Sequence, residues 1–437
     1  MLTKTICLTE QVKNGYVQMS PPHRHTARYV VTSVMGGNPP ERLLAMSSQE
    51  SPAVRILFFS NPFPERLTPL LPLARALRES GHTVAFATAV EAAPWLEPDS
   101  FELMLVGPTT HEVTAEVARR IGVDILFSPA TDVMAEYFAG ARVDLTADEA
   151  VDRAGPWAPD LIVSEHCDLV GPLVASAHDV PCVVAVTGPA PEPEELDALT
   201  ATVRSRYLDR GLQPPARTPS GRWLLHLSPP SLRHEEGPPS SPHHVAMRAE
   251  PCQGTVPQPR ARRAPGAGRP KVLVGFGAEA VTSLELGPVL KALSALDVDL
   301  LVVVKGRRVD VLEGEREGIR LVPGAAVAEA LEDVTAVLHH GGPDITFAAA
   351  ARGVPAVVVP ESPAQLRWTE RLAAAGAAIV LSAGERDPAA IAAGLGALLS
   401  DARFTAAASR LSEETAAMPT AVQVAEWLVR AVTAADG

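Results

Sequence analysis

From Val54 onward the apolar positions fall into a repeating pattern. Val54-Arg55-Ile56-Leu57-Phe58-Phe59 is a short apolar run, a polar turn with prolines follows, and Leu70 to Ser80 carries apolar residues at helical spacing. That order predicts strand, loop and helix. Gly81-His82 ends the helix and Thr83-Val84-Ala85-Phe86-Ala87 predicts the next strand; Leu161-Ile162-Val163 and Pro181-Cys182-Val183-Val184-Ala185 repeat the signal. A second series begins at Lys271. It predicts strands at Lys271–Val274, Asp299–Val304, Ala336–His339 and Ala356–Val359, with helices at Ser283–Leu293, Val327–Leu331, Thr346–Arg352 and Leu366–Ala374. Strands alternating with helices predict an α/β protein with parallel sheets.

Between the two series the pattern fails and proline is frequent, a composition suited to a connector. The expected organisation is a loose N-terminal extension over 1–51, a Rossmann-like domain over 52–235, a Pro-rich linker over 236–269, and a second Rossmann-like domain over 270–437. The extension has no sustained period, and Met46 just before the first strand makes an upstream start its bland explanation. Two such domains facing each other place a cleft at the carboxyl ends of both sheets.

Composition narrows the function classes. Of 437 residues, 46% are hydrophobic and 20% charged, which fits a folded globular chain. Lys and Arg number 38 against 51 Asp and Glu, a formal charge of −13 that argues against general binding of nucleic acid or anionic membrane. The four cysteines have neither CxxC nor Cys/His metal spacing, so no disulfide framework and no zinc site is expected. No run is long enough for a membrane span and no signal peptide is read, so a cytoplasmic location is expected.

Chemistry concentrates at His339-His340-Gly341-Gly342-Pro343-Asp344-Ile345-Thr346, directly after one apolar strand and before a helix. Paired glycines at such a turn let the backbone approach a phosphate and aim the helix's N–H groups at it, with His340 able to donate to a diphosphate oxygen. A plain tight turn is the alternative reading of these residues alone. Asp297-Val298-Asp299 has the form of a metal-binding DxD, but its place at the start of a strand favours a structural role.

Arg55–Phe58 through Thr68-Pro69 to Gly81–Val84, then Val322-Pro323, His339–Gly342, Ala351-Arg352-Gly353-Val354-Pro355 and Pro360 through Gln365 to Gly376 resemble, in order and spacing, glycosyltransferase family 1 of the GT-B fold. Glu165-His166-Cys167-Asp168 with Gly171-Pro172 is similar to the acceptor segment of bacterial antibiotic and macrolide glycosyltransferases. The resemblance implies two facing Rossmann-like domains, the first binding a natural-product acceptor and the second a TDP- or UDP-linked (deoxy)sugar. It also implies inversion at the anomeric carbon with no metal and no further cofactor. Donor contacts are expected from Gly277, Pro323, His340, Gly341, Gly342, Asp344, Thr346 and Gln365.

This sequence also departs from the family's pattern. The family's base, a histidine three residues before the loop proline, corresponds to Arg66, which cannot accept a proton. Glu65, His166 and Asp168 are the other candidates, Glu65 being expected on an extended loop and pointing away from Arg66. Asp344 stands where the family has a small residue; 4 Å from a phosphate it would cost about 4 kcal/mol at a dielectric of 20, unless it caps the helix instead or Arg307 or Arg367 offsets it. Ala364 replaces an acidic sugar contact beside Gln365, and Ala278 a hydroxyl residue. These changes keep a second expectation open, a catalytically silent homologue assisting a partner transferase. A homodimer is a further open expectation.

Overall fold

The computed structural model describes residues 12–13, 16–17, 53–122, 130–188, 191–233, 243–250, 268–276, 286–304, 318–323 and 327–434. Their strands are β1 (Val12–Lys13), β2 (Tyr16–Val17), β3 (Arg55–Phe59), β4 (Thr83–Thr88), β5 (Glu102–Leu105), β6 (Leu161–Glu165), β7 (Cys182–Val186), β8 (Trp223–His226) and β9 (His244–Ala246) in one sheet. The other holds β10 (Lys271–Gly275), β11 (Asp299–Val304), β12 (Ile319–Pro323), β13 (Ala336–His339), β14 (Ala356–Val358) and β15 (Ala378–Val380).

The first sheet runs β1-β2-β9-β8-β7-β6-β3-β4-β5 and the second β12-β11-β10-β13-β14-β15. All pairings are parallel except that of β1 with β2. In both sheets the first strand of the βα series lies beside the fourth, β3 beside β6 and β10 beside β13. Chain connections leave those neighbours in opposite directions, which opens a crevice at their carboxyl ends. The expected α/β architecture of two parallel Rossmann-like sheets is therefore observed.

Alternate residues of β3 feed different cores, which is why the run is apolar throughout. Ile56 and Phe58 pack with the helix Leu71–Glu79, whereas Leu57 and Phe59 pack with the helices Arg142–Trp157 and Val170–His178. Leu73 and Leu77 of the helix Leu71–Glu79 are fully buried, each worth about 1.5–3 kcal/mol relative to exposure.

Three expectations about organisation change. His244–Ala246, inside the expected linker, is β9, paired in parallel with β8. Val245 and Met247 bury their side chains there, so a Pro-rich composition did not prevent a three-residue strand. Within the expected loose extension, β1 and β2 form a ladder, Tyr16 pairing with His244. Finally, the last helix, Ala421–Thr433, does not stay with the second sheet: its Val424, Leu428 and Val429 lie in the same core as Ile56, Phe58 and Leu73, and Trp427 meets Trp223 edge-on at 5.6 Å. Where the chain leaves the first sheet and where it comes back, the two passages touch: Arg248 N–H donates to the Pro419 carbonyl at 2.7 Å.

Candidate active site

At the crevice of the first sheet, Asn61 follows β3 and Glu165 ends β6. The Glu165 side chain is fully buried, and a carboxylate there requires donors. Asn61 Nδ2 donates to its Oε1 at 2.5 Å and the Cys167 N–H to its Oε2 at 2.7 Å. The Arg66 guanidinium supplies the counter-charge, Nη1 lying 3.6 Å from Oε2. The same Nη1 is 3.0 Å from His166 Nε2 and donates to Cys167 Sγ at 2.9 Å. Phe138 closes one side, its ring centroid 5.7 Å from the guanidinium carbon.

Glu165, His166 and Cys167 are close enough together to ligate a metal, but the guanidinium already stands against all three. Burial opposes the charge on Arg66, and Cys167 and Glu165 raise its pKa above the ordinary value, so it is a permanent cation. Burial pushes the Cys167 thiol up to about 12, leaving it neutral.

Arg66 and Glu65 do not lie on an extended loop. They occupy the one-turn helix Pro64–Leu67, started by Pro64, where successive side chains are about 100° apart rather than opposed. Glu65 is exposed. His166 is not: its side chain is 1% exposed, Nε2 faces Arg66, and Nδ1 lies 3.4 Å from the Thr187 N–H that donates to it. Asp168 is buried, and its Oδ1 accepts from the Val170 and Gly171 N–H groups at 3.0 and 2.8 Å, capping the helix Val170–His178. Burial pushes this carboxyl up to about 6 against the pull of Arg142. Of the four residues, then, only Glu65 presents an exposed carboxylate.

At the crevice of the second sheet, His339 ends β13 and the chain turns through Gly341, at φ +89°, into the helix Pro343–Arg352. A Cβ on Gly341 would stand 2.7 Å from Thr369 Cγ2, and one on Gly342 would stand 2.7 Å from His340 Nε2. The glycines thus let the turn lie against the helix Pro363–Ala374 and let the imidazole of His340 fold over the helix entrance. His340 is half-buried, with Nδ1 3.4 Å from the Gly275 carbonyl oxygen. His339 is fully buried, its Nδ1 accepts the Gly341 N–H at 3.0 Å, and burial followed by the neighbouring His340 pushes its pKa down to about 3. It fixes the turn as a neutral ring.

The other expected donor contacts stand in different settings around this turn. Gly342 is the N-cap and Asp344 is an exposed first-turn residue, so Asp344 is not the cap. Thr346 is fully buried and its hydroxyl donates to the Gly342 carbonyl at 2.8 Å, a bond within the helix. Gln365 lies beside the turn, but its Oε1 accepts from the Glu361 and Ser362 N–H groups at 2.8 and 3.3 Å, a capping box that leaves only its amide NH2 for a sugar. Pro323 ends β12; Gly277, Ala278 and Arg307 lie outside the described residues. Asp297 and Asp299 face Arg269 at the amino end of β11, at 2.7 and 3.8 Å, away from the crevice.

The two crevices face each other. Thr187, bonded to His166, is followed by Gly188, whose Cβ position lies 3.6 Å from Pro343 at the helix entrance. Arg367 of the helix Pro363–Ala374 reaches across to Glu192 and Glu195, at 3.1 and 3.0 Å, at the start of the helix Pro193–Leu208. A helix N-terminus after paired glycines, facing an Arg66-centred cluster of polar side chains across a cleft between two parallel sheets, defines the class: a GT-B glycosyltransferase.

Comparison with known proteins agrees. Residues 75–257 match the N-terminal domain, and 287–431 the C-terminal domain, of the erythromycin biosynthesis protein CIII-like family. The L-demethylnoviosyl transferase of Streptomyces niveus is 30% identical over 396 residues, 86% of this chain and 97% of that one. The TDP-daunosamine transferase DnrS of Streptomyces peucetius is 28% identical over 330 residues, 65% of this chain and 75% of that one. The glycosyltransferase SnogD from Streptomyces nogalater superposes with a TM-score of 0.70 at 26% identity, covering 87% and 99% of the two chains. The chain belongs to the erythromycin CIII-like branch of the family 1 antibiotic glycosyltransferases, and it is a hexosyltransferase-type enzyme acting on secondary-metabolite acceptors.

Sequence reasoning missed Asn61 and Phe138, and it singled out His339 without giving it a role. Ser60 and Asn61 follow β3 at the crevice, and polar residues just after the first strand of a βα series were the available signal.

Proposed function

We propose that the enzyme transfers a sugar from a thymidine- or uridine-diphosphate sugar to a natural-product hydroxyl, in one displacement that inverts the anomeric carbon and needs no metal. The observation that carries this reading is the pairing of the helix entrance at Gly341–Pro343 with the Arg66 cluster through Thr187 and Gly188. A leaving diphosphate develops negative charge, and the helix N-terminus together with a donor on His340 is oriented to receive it. Asp344 in the first turn weakens that site and predicts modest nucleotide affinity. The TDP in the name of the Streptomyces peucetius relative supports a thymidine nucleotide.

Calorimetry with TDP and UDP in EDTA, followed by NMR of the product's anomeric coupling, tests the reading. Binding, transfer in EDTA and inverted configuration are expected. Retention of configuration, or activity abolished by EDTA and restored by a divalent ion, overturns the mechanism. Nucleotide binding with no transfer to any acceptor assigns the chain the auxiliary role instead.

A further inference from the structure

In the acceptor crevice the position from which a base would act holds a cation, His166 and Asp168 are buried and engaged in bonds, and the candidate left exposed is Glu65, on the same helical turn as Arg66. We propose that this cleft selects acceptors whose reacting hydroxyl is acidic, an aryl or enolic hydroxyl held as its oxyanion on the N–H groups of Arg66; the proposal rests on the transferase reading above.

The geometry of Arg66 is suited to this. Among the described residues, the contacts of its guanidinium nitrogens to Glu165, His166 and Cys167 run through Nη1, and the side chain remains 25% exposed. Nη2 and Nε therefore remain for an incoming anion, and a guanidinium presents them as a fixed fork. The charged and titratable groups facing it are Glu165, His166, Cys167 and the adjacent Glu65, with Phe138 on the remaining side. Glu165 opposes a second anion, yet it shares its charge with Asn61 and the Cys167 N–H. An oxyanion on Nη2 or Nε touches the guanidinium directly, whereas Glu165 stands on the Nη1 side, so attraction exceeds repulsion.

The acidity of the acceptor decides what can react. An aliphatic hydroxyl is about as weak an acid as water, with a pKa near ~15.7, and needs a base in the transition state. A phenol begins near about 10. An adjacent cation lowers such a value by about 1–3 units, into the working range, so that no base is required. The step then balances simply. The hydroxyl proton has gone to water; the oxyanion forms the new bond to the anomeric carbon as the bond from that carbon to the β-phosphate oxygen breaks. The electron pair leaves with the nucleoside diphosphate.

The test uses the full chain with TDP and 7-hydroxy-4-methylcoumarin, whose absorption changes on ionisation, and its 7-hydroxymethyl analogue as the aliphatic counterpart. The bound coumarin should ionise at least about one pH unit lower than the free dye, a tenfold shift in its acid equilibrium. The shift should vanish in Arg66→Met and survive in part in Arg66→Lys, which keeps the charge and the counter-ion of Glu165 if the neutral variant fails to fold. With a TDP-sugar, the phenol should be glycosylated at least about a hundredfold faster than the analogue. An unshifted or unbound coumarin with TDP still bound, or equal transfer to both hydroxyls, overturns the acceptor proposal alone. Absence of TDP binding overturns the transferase reading itself.

Discussion

Replacing Gly341 by alanine tests the glycine turn at the crevice of the second sheet with two separable penalties. The first is conformational: at φ +89° an L side chain crowds its own carbonyl, at about 1–2 kcal/mol. The second is steric. The new Cβ would stand 2.7 Å from Thr369 Cγ2, on a fully buried side chain, and overpacking of that kind costs about 1–3 kcal/mol. A total of roughly 3 kcal/mol should lower the melting temperature by about 6–12 °C in a unit of this size. Thr369→Ser separates the two penalties, because serine lacks Cγ2 yet keeps the hydroxyl that bonds the Gln365 and Leu366 carbonyls at 2.8 and 3.1 Å. In a double-mutant cycle by urea unfolding, Gly341→Ala in the Thr369→Ser background should recover about 1–3 kcal/mol and leave the φ penalty in place. Additivity within about 0.5 kcal/mol would show that the methyl is not what the glycine avoids, and the close approach of turn and helix would have to be explained otherwise.

Three further outcomes follow from the site. His339 has a folded pKa near 3 against an unfolded value near 6.5, so the unfolded chain binds the extra proton; its contribution to stability is full above about pH 6.5 and is lost as pH falls towards 3, and His339→Gln should remove up to about 1.4 kcal/mol per pH unit of that slope in melts between pH 4.5 and 7. Asp168 is raised instead, so its buried charge opposes folding above about pH 6 and is relieved below it; Asp168→Asn, which keeps an accepting oxygen for both N–H groups, should melt at pH 7 no lower than the parent with transfer retained, whereas Asp168→Ala should lose about 1–2 kcal/mol of helix cap. Arg367→Met breaks the ion pairs to Glu192 and Glu195, which are partly exposed, so stability should change by no more than about 1 kcal/mol while small-angle scattering shows a wider spread between the sheets; an unchanged scattering profile would remove Arg367 from any part in holding the cleft.

Period and order made the two sheets legible. Runs such as Ile56–Phe59 and Val272–Val274 are apolar throughout because both faces of a parallel sheet are covered. The turn before the helix Pro343–Arg352 was legible for a local reason: Gly341 and Gly342 declare a backbone requirement at their own positions. What was not legible depended on partners distant in sequence. Asp168 reads as a free carboxylate until the next helix turns its first N–H groups onto it, and Gln365 reads as a sugar contact until Ser362 draws it into a capping box. The strand β9 was hidden because three residues carry no period, and the docking of Ala421–Thr433 on the first sheet because its apolar face would serve either sheet equally well. The role of Arg66 was half-visible: the loss of a base is a matter of residue type, whereas its burial against Glu165, His166 and Cys167 is a matter of where β3 and β6 end.

The hydrogen bond from Arg248 to Pro419 fixes how this enzyme can be cut and recombined. The polypeptide crosses between the two sheets twice, and both crossings are tied at one spot, with Glu250 Oε1 also 3.4 Å from the Ala421 nitrogen. A single breakpoint in the connector would therefore hand the final helix to the wrong parent and leave Trp223 without Trp427. Chimeras that exchange the second sheet need two junctions, one near residue 250 and one near residue 420, so that Ala421–Thr433 stays with the first sheet.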